Sequence, residues 1–155
     1  MTPMHSSSAP AKVLLVEDHA HERWALATAL QWADLDVDVA ETANEAIRLL
    51  ERHVGVYRCI LLDIELPHVN GFAVADYVKR MQAKTPVIVI SGHSNLSAPL
   101  RNGGYAEIVK CIAGKPLDVS MIAAIVREFV SLDMSRSEPS RAEENLEGRD
   151  PQGLS

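Results

Sequence analysis

The feature that most constrains this chain is a set of short, wholly apolar runs, Val13-Leu14-Leu15-Val16, Cys59-Ile60-Leu61-Leu62 and Val87-Ile88-Val89-Ile90, separated by segments of helical periodicity. A strand open to water on one face alternates apolar and polar residues. These runs do not alternate, so each predicts a strand covered on both faces. Parallel strands need crossover connections, which are right-handed and usually carry a helix. The pattern therefore predicts an α/β fold, a doubly wound parallel sheet with helices on both sides.

The intervening segments supply the remaining elements. Trp24, Ala25, Leu26, Ala29 and Leu30 recur at helical spacing over residues 21–32. A second strand over residues 37–40 precedes a helix capped by Thr42, with Ala46, Ile47, Leu49 and Leu50 facing inward. Asn70-Gly71 opens a third helix reaching about residue 84, with Phe72, Val74, Ala75 and Val78 inward, and Pro86 introduces the fourth strand. A fifth strand lies before Gly114-Lys115-Pro116. The last helix starts at an Asp118 cap and carries Met121, Ile122, Ile125, Val126, Phe129 and Val130. Between Ser91 and that strand, Pro99 and Gly103-Gly104 predict an irregular fourth helix.

A chain of 155 residues holds one ordinary domain, placed here over residues 11–132. Residues 1–10 are Ser- and Pro-containing and predict a disordered N-terminus. Residues 133–155 are rich in Ser, Arg, Glu, Gly and Pro, with Leu146 and Leu154 as their large aliphatics, and predict a disordered tail; a tail that binds a partner is the alternative. The formal charge of -6, without a basic stripe, argues against direct nucleic-acid binding. No apolar stretch resembles a signal peptide or a membrane span, which predicts a cytoplasmic protein. Cys59 and Cys111 sit in apolar runs and read as buried, reduced thiols rather than a disulfide or metal pair.

In open parallel sheets the reactive site lies at the carboxyl ends of the strands. Glu17, Asp18, Asp63, Ser91 and Lys115 all fall at or just after such ends. Crowded carboxylates repel one another unless a cation relieves them, and oxygen donors of this kind suit Mg2+. Lys115 adds a positive charge and Ser91 a hydroxyl donor. Such a pocket equips a carboxylate to attack phosphorus and to hold the resulting acyl phosphate.

Asp18, Asp63, Ser91 and Lys115-Pro116, with the loop Asp63-Ile64-Glu65-Leu66-Pro67-His68-Val69-Asn70-Gly71, resemble the signature of bacterial response-regulator receiver domains over about residues 12–130. The resemblance implies a flavodoxin-like five-stranded sheet of order 2-1-3-4-5 and a cytoplasmic signalling protein rather than an enzyme. It implies that Asp63 accepts a phosphoryl group from a histidine kinase in a phosphorelay; with room for one domain, the chain is expected to be a receiver without an attached output domain. Asp18, Asp63 and the backbone carbonyl of Glu65 would ligate Mg2+, and Glu17 would orient metal-bound water. Lys115 would pair with Asp63 and the phosphoryl group, Ser91 would bond a phosphoryl oxygen, Gly92 would leave the group room, and Pro116 would follow a cis peptide. The kinase, the downstream target and any homodimerisation through the output face or tail stay open.

The family carries an aromatic residue three positions before the lysine, where this chain has Ile112; the nearest aromatic is Tyr105. Phosphorylation is therefore expected to be transmitted differently or weakly. The competing reading is a receiver fold that binds partners regardless of phosphorylation. An aspartyl-nucleophile phosphatase is disfavoured because Glu65 and Pro67 replace that motif's second aspartate and threonine, and no nucleophile-elbow sequence surrounds Ser91. His19, His21, His53, His68 and His93 read as solvated loop residues, with His19 and His93 at the pocket rim. Trp24 and Trp32, two turns apart, are expected to pack in the core rather than form a binding surface.

Overall fold

The computed structural model describes residues 10–65, 71–81, 83–92 and 104–132. Five strands, β1 (Lys12–Val16), β2 (Asp36–Ala40), β3 (Tyr57–Asp63), β4 (Val87–Ser91) and β5 (Val109–Gly114), form one sheet of order β2-β1-β3-β4-β5, with every pairing parallel. The helices α1 (Ala20–Trp32), α2 (Ala43–Arg52), α3 (Phe72–Arg80) and α4 (residues 119–132) alternate with them. The doubly wound parallel α/β architecture agrees with the expectation from the apolar runs, and its flavodoxin-like strand order with what the resemblance implies.

Each face of the sheet holds its own core. Leu14, Val16, Ile60, Leu62, Val87 and Val89 pack with Ala43 and Ala46 of α2 and Val74, Ala75 and Val78 of α3. The alternate residues Val13, Leu15, Cys59, Leu61, Ile88 and Ile90 pack with Leu26 and Leu30 of α1 and Ile122, Val126 and Val130 of α4. The unbroken apolar runs follow directly, since both side-chain directions of a central strand are removed from water. Each fully buried Leu or Ile in them contributes about 1.5–3 kcal/mol relative to exposure.

Several boundaries depart from expectation. β3 begins at Tyr57 rather than Cys59, because the Tyr57 ring is buried and its hydroxyl donates to Asp38 Oδ2 at 2.6 Å. α3 stops at Arg80, four residues short of the expected end. The two expected caps form: Thr42 Oγ1 accepts from Glu45 N and Asp118 Oδ1 from Met121 N, each at 3.1 Å. Cys59 is buried and Cys111 half-buried, both as free thiols, and burial pushes Cys59 up to about 12. The irregular fourth helix over residues 93–103, residues 1–9 and 133–155 of the termini expected to be disordered, and His68 and His93 lie outside the described residues. Among the described residues, no helix is long and apolar enough to cross a membrane.

Trp24 and Trp32 correct the sequence reading. They are 68% and 84% exposed, so neither packs in the core. Leu26 and Leu30 take the inward positions of α1, and the tryptophans, two and six residues away from Leu26, fall on another face of the same helix. Met121 is likewise exposed, whereas Ile122 and Val126 carry the packing of α4.

Candidate functional site

Parallel pairing brings the strand ends together. Val16 lies beside Leu62, Asp63 beside Ile90, and Ser91 beside Gly114. The ladder continues one step past each end. Glu17 N donates to Ala40 O at 3.0 Å, Ile64 N to Ile90 O at 3.1 Å, and Lys115 N to Ser91 O at 3.0 Å. The backbone beneath the polar side chains is thus fixed by sheet hydrogen bonds. The approach of Gly71 closes the other side of the acceptor loop: its N–H donates to Ile64 O at 3.0 Å, and a Cβ there would come within 2.7 Å of Ile64 Cα. Only glycine fits that contact.

On this frame sit three buried polar side chains, Glu17, Asp63 and Ser91. Lys115 Nζ lies 3.3 Å from Asp63 Oδ2, and Asp63 Oδ1 accepts from Glu65 N at 2.9 Å. Lys115 also approaches Glu22 Oε1 at 3.7 Å. Glu17 Oε2 accepts from His19 N at 3.2 Å. Arg23 Nη1 donates to the carbonyls of both Glu17 and Asp18 at 3.2 Å and lies 3.7 Å from Glu41, clamping the loop that follows β1. The Lys115–Pro116 peptide is cis.

The charges are strongly coupled. Burial, and then the Asp63 carboxylate, push Glu17 up to about 7. Burial works to lower the Lys115 ammonium, but Asp63, Glu22 and Glu17 outweigh it and hold it above its ordinary value. His19 is raised mainly by Asp18 and by its hydrogen bond with Glu17. The edge is an excess of negative charge partly answered by one ammonium.

Glu17, His19, Glu22 and Asp63 each present a donor atom within 4.8 Å of the others. Glu17 Oε1, Asp18 Oδ1 and Glu22 Oε1 are buried oxygens that make no hydrogen bond among the described residues, although Asp18 Oδ1 lies 3.4 Å from His19 Nδ1 and Glu22 Oε1 3.7 Å from Lys115 Nζ. Buried anionic oxygens without donors are costly, and a hard divalent cation is the group that satisfies them. The residues present therefore fit such an ion.

Of the residues singled out in the sequence, Asp63, Lys115 and Glu17 lie together, and Ser91 ends the neighbouring strand with its hydroxyl on Glu65. Asp18 stands beside the cluster rather than within its tightest set, with Oδ1 3.4 Å from His19 Nδ1. The side chain of Glu65 turns to Ser91 and Gly92. His21 is exposed and His53 packs edge-on against Tyr57. Glu22 and Arg23 were not anticipated; their signal was position, four and five residues beyond Asp18 in the first turn of a helix that starts at the reactive edge.

The position three residues before Lys115, where the resemblance implies an aromatic, also differs. Ile112 is partly exposed on β5. Tyr105 is held elsewhere, 5.7 Å from the Phe72 ring, with its hydroxyl hydrogen-bonded to Asp76 and Lys79 Nζ 5.2 Å from its centroid. It is anchored to α3.

A family model described as the response regulator receiver domain matches residues 13–127. The chain belongs to that family. Its receiver fold is similar to a Francisella response regulator receiver domain, with a TM-score of 0.69 and 21% identity over 79% of this chain and 98% of that one. It is also similar to the response regulator TrrA of Thermotoga maritima in complex with Mg2+-BeF, with a TM-score of 0.66 and 23% identity over 76% and 97% of the two chains. Among curated relatives, the DNA-binding transcriptional regulator NtrC of Salmonella typhimurium is 29% identical over 133 residues. That match covers 86% of this receiver chain but 28% of the relative. For the response regulator PilR of Pseudomonas aeruginosa the identity is 26%, and the shares are 90% and 31%. This receiver chain therefore spans under a third of these relatives.

Proposed function

We propose that this receiver accepts a phosphoryl group from a histidine kinase onto Asp63 and relays it, or the binding it controls, to another protein. The observation that carries this reading is the fully buried Asp63 carboxylate at the end of β3, 3.3 Å from Lys115 Nζ and on the same edge as buried Ser91. A carboxylate oxygen of Asp63 attacks phosphorus in line as the bond to the kinase imidazole breaks. Lys115 steadies Asp63 before transfer and a phosphoryl oxygen after it, and the Ser91 hydroxyl donates to another. Such transfer needs little covalent chemistry from the protein and relies on positioning and charge.

Glu17, Asp18 and Asp63, with the backbone carbonyl of Glu65, would hold Mg2+. When bound, that ion supplies the remaining neutralisation of phosphoryl charge. Glu22 and His19 border the same place, and Gly92 and Pro116 line the entrance for the group.

A second reading, a receiver-fold interaction module indifferent to phosphorylation, is favoured by Ile112 in place of the aromatic and by the anchoring of Tyr105 to α3. Incubation with Mg2+ and acetyl phosphate, followed by intact-mass measurement, separates the two. A phosphoryl adduct that disappears in Asp63→Asn supports the first. No adduct under any condition supports the second.

A further inference from the structure

Glu65 carries the chemistry that the phosphoacceptor reading leaves unused. Its Oε2 accepts from Ser91 Oγ at 3.1 Å and from Gly92 N at 2.9 Å. A Cβ at Gly92 would meet the two Glu65 carboxylate oxygens at 3.5 and 3.6 Å, and Lys115 Cδ at 3.8 Å. The carboxylate therefore lies over the glycine, next to the lysine stem. A hydroxyl and a backbone N–H converging on a single oxygen make an anion cradle, and donors to a charged acceptor form the stronger class of hydrogen bond.

The cradle belongs to the strand next to the acceptor. Ser91 ends β4, which pairs in register with β3, and Asp63 lies beside Ile90. Glu65 is two residues beyond Asp63, and its own backbone N–H is bonded to Asp63 Oδ1. A phosphoryl group on Asp63 carries three oxygens that need donors, and the hydroxyl that ends β4 and the amide that follows it are already bonded to Glu65.

We propose that the Glu65 carboxylate is a built-in occupant of the phosphoryl pocket, filling one oxygen position until the incoming group displaces it. This rests on Asp63 being the phosphoacceptor. Occupancy has two effects on uptake. An arriving phosphoryl group must compete for the Ser91 hydroxyl and the Gly92 amide, and it must approach a second negative charge. Both slow its entry and weaken its retention. Removal of the carboxylate leaves the cradle open and the acceptor unaltered.

Beryllofluoride with Mg2+ is the probe, its affinity measured by calorimetry on the wild type, Glu65→Gln and Glu65→Ala, alongside the rate of phosphorylation by acetyl phosphate. The Gly92 amide resonance of each protein without probe reports the contact directly. In Glu65→Ala, beryllofluoride should bind about tenfold more tightly, as expected for loss of a competing charge-assisted hydrogen bond. Phosphorylation should quicken by a similar factor and the Gly92 amide should shift. Glu65→Gln, which keeps an acceptor but loses the charge, should fall between. Wild-type binding that Glu65→Ala leaves equal or weakens overturns the occupancy alone. Failure of every variant to bind the probe or to take up phosphate, with the Gly92 amide still shifted by Glu65→Ala, overturns the phosphoacceptor reading and the occupancy with it.

Discussion

Glu17 concentrates the tension of the site in a single side chain. It is fully buried, faces Asp63, and keeps one oxygen without a donor among the described residues. Its carboxyl is raised from 4.5 to about 7 in the folded chain, so between those values the native state binds more protons than the unfolded one. The resulting stability is complete below about pH 4.5 and is lost as pH rises through about 7. Urea unfolding without divalent ions should therefore show a decline of a few kcal/mol across that window from this group. Glu17→Gln should flatten the decline, and Mg2+ should reduce it by stabilising the ionised form; an equal slope in the wild type and the variant would contradict the argument. At this scale the sequence was informative where a charged residue directly ends an apolar run, as Glu17 and Asp63 do. It was uninformative for Glu22, whose place at the edge depends on the phase of α1, and for the Glu65 side chain, whose direction depends on a loop conformation.

At the scale of elements, the strands were legible because burial on two faces leaves an unmistakable apolar run. The helices were legible only in outline. α1 offers Trp24, Ala25, Leu26, Ala29 and Leu30, and the largest apolar residue among them points to solvent. Small Ala27 and Ala29 instead sit against the core with Leu26 and Leu30, which lets the helix lie close to the sheet. Size alone misdirects such a reading; the helical phase that buries the most side chains decides. The connection from β3 to α3 shows a different control. Gly71 is pressed against Ile64 Cα and Asp63 O, at 2.7 and 2.8 Å from the position of an added Cβ. Gly71→Ala should force the acceptor loop outward, lower stability by about 1–3 kcal/mol, and slow phosphoryl uptake from acetyl phosphate. Unchanged urea unfolding and unchanged uptake would show that the loop yields freely.

Over the whole molecule, two apolar layers share one sheet, so each central strand stabilises both. Leu61 on β3 is fully buried between β1, β4 and the α1–α4 layer. Leu61→Ala should cost about 2–5 kcal/mol in urea unfolding, with a single cooperative transition; two separated transitions would mean that the layers unfold independently. Polar interactions are distributed unequally between the two poles of this body. At the amino ends of the strands, Lys12 bridges Asp36 and Asp38 at 3.3 and 3.2 Å, and Tyr57 joins Asp38. Those contacts, one ammonium between two carboxylates and a phenol donating to one of them, span β1, β2 and β3 and stitch the base of the sheet. The opposite pole instead buries Glu17 and Asp63 and crowds them with Glu22 around the single ammonium of Lys115. The chain is thus anchored at one end and electrostatically primed at the other, so chemistry at the reactive rim can rearrange charge while the far seam keeps the strands in register.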